Sequence, residues 1–171
     1  MDFPDVSPDD WFYGYIAWVH DSGLITGYED GTFRPNAPIT REELAALLVR
    51  TMGLETRPSD NVHFADTHLI SNWARDYVNA AVRQGWMQGD ASGGLRPTQH
   101  ITRAEVAALF ARVLGRGTTS AQSIQDVSSD IRIFNDVSDP GTWYYYYVIN
   151  ASHSYWFTVT DNVNLWTSVT R

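Results

Sequence analysis

The chain has 171 residues, 43% of them hydrophobic, and a formal net charge of −8. That size and apolar fraction suit one compact domain or a few small repeats sharing a core, and they exclude wholesale disorder. The negative charge argues against nucleic acid as a partner, because phosphate binding needs a basic surface.

All twelve basic residues are Arg, and cysteine is absent, so disulfides and thiolate metal sites are excluded. Seven Trp and nine Tyr give a high aromatic content. Sugar-binding surfaces use such rings, but most are expected in the core. No apolar run nears the ~20 residues needed to span a bilayer. The start, MDFPDVSPDD, is acidic and lacks a signal-peptide core. We read the chain as an excised piece of a larger exported protein.

The chain repeats itself. Trp11 recurs as Trp73, Gly23 as Gly85, Gly27 as Gly89, Pro35 as Pro97, and Ile39-Thr40-Arg41 as Ile101-Thr102-Arg103, each pair 62 residues apart. The openings Phe3–Val6 and Phe64–Thr67 match one residue out of step. A third opening, Phe134-Asn135-Asp136-Val137, leads to Trp143 and then departs, with no Gly-rich loop and no Thr-Arg pair. Copy one is placed at residues 1–54, copy two at 55–115, a polar linker at 116–133, and a divergent, incomplete third copy at 134–171.

Within copy one, a first helix is expected from near Trp11, with apolar residues Phe12, Ile16, Val19 and Tyr15, Trp18 at i, i+3, i+4 spacing, ending at Gly23. The loop GYEDGTFRPNAP follows. A second helix starts at Thr40, which caps it while Glu43 reaches back, and closes at Gly53. Leu44, Leu47, Leu48 and Thr51 form its buried stripe. After a polar stretch at 55–61, copy two repeats the plan. Its first helix starts near Trp73 and stops at Gly85, and its loop is GDASGGLRPTQH. Its second helix is boxed by Thr102 and Glu105, with Val106, Leu109, Phe110 and Val113 buried. The tail, Tyr155–Thr160 and Val163–Val169 about Asp161-Asn162, predicts a β-hairpin. That hairpin either covers a core left by the missing helix or offers a docking edge.

One feature of both second helices runs against a local rule. A helix N-terminus carries roughly +0.5 charge, so a cation there is disfavoured by about 0.3–1 kcal/mol. Arg41 and Arg103 nevertheless occupy the first helical position. Either each Arg pairs with its own Glu43 or Glu105, or it joins the first-turn N–H groups in holding an anion. Trp11 and Trp73 are either core rings or stacking platforms for a sugar.

Enzyme motifs are lacking: no G-x-S-x-G, G-x-G-x-x-G, phosphate-cradling Gly-Lys or H-E-x-x-H run occurs. Glu42 and Glu43 are adjacent and point apart on a helix, so they do not make a glycosidase pair. The five His residues lack ligand spacing, and Asp5, Ser7 and Asp9 lack the Gly and Glu of a calcium loop. No catalytic residue, metal or cofactor is expected.

The F-x-D-V opening, the Trp of the first helix, the FRP-type loop and the Ile-Thr-Arg-x-Glu helix start together resemble the S-layer homology family. The resemblance is close over Asp2 to about Gly115 and looser from Phe134 to about Ser154. It implies a mainly α fold, a pseudo-threefold arrangement of helix-loop-helix repeats, here with three first helices bundled, two capped second helices outside and a small C-terminal β-hairpin. It also implies a non-catalytic role outside the cell: anchoring a surface protein in the cell wall or S-layer by binding an anionic, pyruvylated secondary cell-wall polysaccharide. Carried over by position, the ligand-binding residues are Arg41, Arg103, Gly27, Gly89, Trp11 and Trp73. An interaction module for other surface proteins, using the altered third copy, is the alternative.

Overall fold

The computed structural model describes residues 1–58, 62–116, 119–161 and 163–170 as two compact units, Met1–His100 and Ile101–Arg171. The end of the 55–61 stretch, residues 117–118 of the 116–133 linker, and Asn162 of the hairpin turn lie outside the described residues. The chain is mainly helical, with one small antiparallel sheet near its C-terminus. The division into units falls inside copy two, between its loop and its second helix.

In the first unit, α1 (Tyr13–Asp21) starts two residues after Trp11, so that Trp lies in the turn before the helix rather than on it. The helix ends as expected at a glycine in the left-handed region. Gly23, at φ 71°, donates to His20 O, and Leu24 donates to Val19 O. Copy two repeats this at α3 (Arg75–Arg83) and Gly85. Of the apolar face of α1 only Ile16 is buried, in a small cluster with Phe3 and Val6.

The second helix of copy one, α2 (Arg41–Thr51), carries the full capping box. Glu43 N donates to Thr40 Oγ1 at 3.3 Å, and Thr40 N donates to Glu43 Oε2 at 2.7 Å. Its buried side is broader than the expected stripe. Ala45, Ala46 and Val49 are buried with Leu44 and Leu48, whereas Thr51 is exposed.

α2 packs against α3, the first helix of the following copy. Alanines at 45, 46, 80 and 81 are all buried, and small side chains let two helices approach closely. Val49 and Val78 are fully buried, each contributing on the order of 1.5–3 kcal/mol. Arg50 near the end of α2 lies over the Tyr77 ring, 4.7 Å from its centroid. Glu42, buried at the start of α2, accepts from Ser71 N (3.0 Å) and Ser71 Oγ (2.6 Å), just ahead of α3.

The second unit repeats that pairing. α4 (Arg103–Val113), boxed by Thr102 and Glu105, packs on α5 (Tyr145–Ser152), and Arg112 sits 5.3 Å from the Tyr147 ring centroid. Each capped second helix therefore meets the first helix of the next copy. Phe110, expected in the stripe of α4, is 38% exposed, while Ala107, Ala108 and Ala111 are buried with Leu109.

The hairpin forms as expected, from β1 (Ser154–Thr160) and β2 (Val163–Thr170). Trp166 is buried and stacks on Tyr155, with ring centroids 3.7 Å apart. Together with Tyr145, Ile149, Ile124 and Val127 it forms the core of this unit. The polar stretch expected as a linker is thus partly built into the fold. A 3-10 turn at Gln125–Asp130 buries Val127, and Ile124 beside it packs against the hairpin. Two apolar residues spaced three apart in a run of Ser, Gln and Asp gave too little periodicity to show this.

Candidate functional site

The opening motif of each copy grips the loop of the same copy. The Phe3 ring lies where a Cβ on Gly27 would have to be, and Gly27 is also held at φ 73°. Phe64 does the same to Gly89, where an added Cβ would sit 2.7 Å from the ring. Asp5 accepts from Phe33 N (2.9 Å) and Arg34 N (2.6 Å); Asp66 accepts from Leu95 N (2.8 Å) and Arg96 N (2.7 Å). These bonds hold Arg34 and Arg96 at φ 62° and 53°, an uncommon conformation for residues with a Cβ.

The carboxyls at these ties and in these loops are all held below their ordinary range. The Phe33 amide, with that of Arg34, holds the Asp5 carboxyl below its ordinary range. Burial pushes Asp66 upward, but the Leu95 and Arg96 amides outweigh it. Asp30, bonded by Thr32 and Arg34, is depressed further, and Asp90 is lowered chiefly by Ser92.

The two helix-start arginines occupy different environments. Arg41 is 7% exposed. Its Nε donates to Leu95 O at 2.8 Å and its Nη2 to Gln88 O at 3.2 Å, both in the loop of copy two. The first-turn amides beside it are also taken: Arg41 N donates to Gln99 O and Glu42 N to Pro97 O, each at 2.9 Å. The expectation of free N–H groups for an anion at this helix start does not hold. The loop of the next copy supplies the acceptors.

Arg103 is exposed. Among the described residues its guanidinium has no hydrogen bond or ion pair, and neither Arg103 N nor Ala104 N has an acceptor. The repeat explains the difference. Arg41 is sealed by the loop of copy two, and among the described residues no equivalent loop bonds Arg103. Among the described residues, the helix start at Arg103 therefore bears an exposed guanidinium and two amides without a protein acceptor.

Trp11 and Trp73 are surface rings, 83% and 52% exposed, as are Trp18, Trp143 and Trp156. The expectation that most of these rings are core fails for Trp, of which only Trp86 and Trp166 are buried. Trp11 packs edge-on against Phe12 and Tyr15 (centroids 5.4 and 6.4 Å), and Trp143 repeats this on Tyr144 and Tyr147 (5.5 and 6.4 Å). Such edge contacts leave a ring face open.

Sequence reasoning missed Glu42, Asp5 and Asp66, and the arginines at 50 and 112. The 62-residue offset that relates Arg50 to Arg112 was a signal for the last pair. Nothing local distinguishes Glu42 from a solvated first-turn acid.

The S-layer homology domain family is matched over residues 2–45 and 63–107, the two full copies. The chain is 35% identical over 117 residues to the surface-layer 125 kDa protein of Lysinibacillus sphaericus, covering 67% of this chain and 10% of that protein. It is 30% identical over 155 residues to a cellulosome-anchoring protein of Acetivibrio thermocellus, covering 88% of this chain and 34% of that protein. An endoglucanase of a Bacillus species is 34% identical over 110 residues, 64% of this chain and 11% of the enzyme. The chain thus spans between 10% and 34% of the length of these relatives. Two family matches, coinciding with two copies of one opening, loop and capped helix, show that the chain belongs to the S-layer homology family.

Proposed function

We propose that the chain is a wall-anchoring module that retains a surface protein on an anionic secondary cell-wall polysaccharide. The relatives named for surface layers and cellulosome anchoring support the anchoring role. The enzyme among them is matched over only 11% of its length, which fits a shared accessory module rather than a shared active site. The bacterial cell surface is the corresponding location. Among the described residues no helix is long and apolar enough to cross a membrane.

The observation that carries the ligand chemistry is the uncovered start of α4. A guanidinium and two amides at a helix N-terminus suit a carboxylate, with the Arg fork taking two oxygens. A pyruvyl ketal on a sugar supplies such a carboxylate. Exposed rings at Trp11 and Trp73 are suited to stacking on sugar faces. The glycines at 27 and 89 let their loops close onto the Phe3 and Phe64 rings, which shapes the loop backbone offered to the sugar, and pseudo-threefold association of the copies belongs to the same proposal. Arg41 takes part by fixing the loop that carries Gly89, since its Nη2 is bonded to the carbonyl of the preceding residue, Gln88. No step in this retention is covalent.

The test is co-sedimentation with purified cell wall before and after removal of its secondary polymer. The anchor is expected in the pellet only with intact wall. Equal recovery on stripped wall overturns the proposal.

A further inference from the structure

The hairpin has two outer edges, and they differ. That of β2 is engaged: Trp166 N donates to Ser123 O at 2.7 Å, and Asn164 Nδ2 reaches Arg116 O at 3.4 Å. Along β1, among the described residues, no backbone group bonds outside the hairpin. A strand edge left in this state is a template for another strand, and native sheets blunt it with Lys, Pro or an inward charge.

β1 has no Lys, no Pro and no charged residue. Its sequence, SYWFTVT, is aromatic and β-branched, which favours extended pairing. From Thr142 to Thr170 the only formally charged side chain is Asp161, at the hairpin turn. Trp156 is 71% exposed and Val159 63%. Bulges also protect edges, but the one here adds its extra residue, Thr167, to β2, and it leaves Phe157–Thr160 of β1 in regular register.

We infer that β1 pairs edge to edge and antiparallel with β1 of a second copy of this chain. The product is a four-stranded sheet, ordered β2-β1-β1-β2, about a twofold axis. A second copy fits because the edge presents nothing that repels its own image. The chain carries −8 overall, yet this segment is almost uncharged, so like-charge repulsion is weakest here. The engaged edge of β2 stops growth at two, which closes the assembly as an isologous dimer. Two anchors joined in this way bind a polymer with avidity.

Sedimentation velocity of the 171-residue chain across concentration tests this. The expected species is a dimer. The double variant Trp156→Lys/Val159→Lys is expected to be monomeric, and Val159→Lys alone to weaken dimerisation by about 10-fold or more through facing like charges. Both positions are already exposed, so near-UV circular dichroism of the Tyr155–Trp166 stack should be retained. Trp18→Lys, on the exposed aromatic surface of α1, is expected to leave the dimer intact. A monomer at every concentration overturns the inference. So does a dimer unaffected by both β1 variants, a dimer lost to Trp18→Lys instead, or open-ended assembly.

Discussion

Gly27 and Gly89 are each placed by an opening phenylalanine, and they tolerate no side chain for different reasons. At Gly27 the ring of Phe3, the Thr32 carbonyl (2.8 Å from an added Cβ) and a positive φ all oppose substitution, whereas at Gly89 the Phe64 ring does so with a looser Gly94 carbonyl (3.3 Å) and no positive φ. Gly27→Ala is expected to destabilise the fold by about 2–4 kcal/mol, and Gly89→Ala by less, since the φ penalty is missing. Denaturant titration of the two variants measures the difference, and equal effects would remove φ from the explanation. The carboxylates that fasten the loops bring a pH dependence. Asp5, Asp30, Asp66, Asp90 and Glu43 all titrate below their ordinary values, 3.8 for Asp and 4.5 for Glu. A group depressed in the folded state stabilises the fold above its unfolded value and loses that contribution as pH falls through the folded one. Stability is therefore expected to be flat near neutrality and to fall on acidification below about pH 4. Thermal midpoints at pH 7, 5 and 3 measure this, and no decline at pH 3 would contradict it.

At the scale of elements, the recurrent unit is a capped helix of one copy lying on the first helix of the next. Thr40 and Thr102 cap equivalent helices with the same bonds, so Thr40→Ala and Thr102→Ala should each cost about 1 kcal/mol. Removing Arg41 is expected to cost more. Its guanidinium bonds two carbonyls of the next copy's loop, and truncation leaves those acceptors buried, a loss of about 2–4 kcal/mol for Arg41→Ala. Denaturant unfolding that ranks Thr40→Ala as the more costly would contradict that role.

Much of this plan was legible in the chain itself. The capping boxes follow from Thr-x-x-Glu alone, the stops from glycine, and the hairpin from alternating β-branched and aromatic residues about Asp161. What escaped was contact between copies. Arg41 and Arg103 share the same Ile-Thr-Arg-x-Glu helix start, yet one is a buried tie and the other an exposed cation, a difference set by long-range contacts that this motif does not carry. Alanines at 45, 46, 80 and 81 gave no apolar signal, yet they are the residues that let α2 and α3 meet.

For the whole molecule, two features of the second unit matter together. Among the described residues, the start of α4 has no acceptor for its Arg103 and Ala104 amides, and the hairpin contributes Trp166 to the core of the second unit while β1 bonds nothing outside the hairpin. Anchoring strength on a repetitive wall polymer then depends on how many open helix starts one assembly presents. The central claim is that Arg103 meets the anionic group and Arg41 does not. Calorimetric titration of the isolated secondary polymer against wild type, Arg103→Ala and Arg103→Lys tests it most directly. The expected result is a loss of about 10-fold or more in affinity for Arg103→Ala, partial retention for Arg103→Lys, and unfolding midpoints unchanged in both. Wild-type affinity in Arg103→Ala would contradict the account.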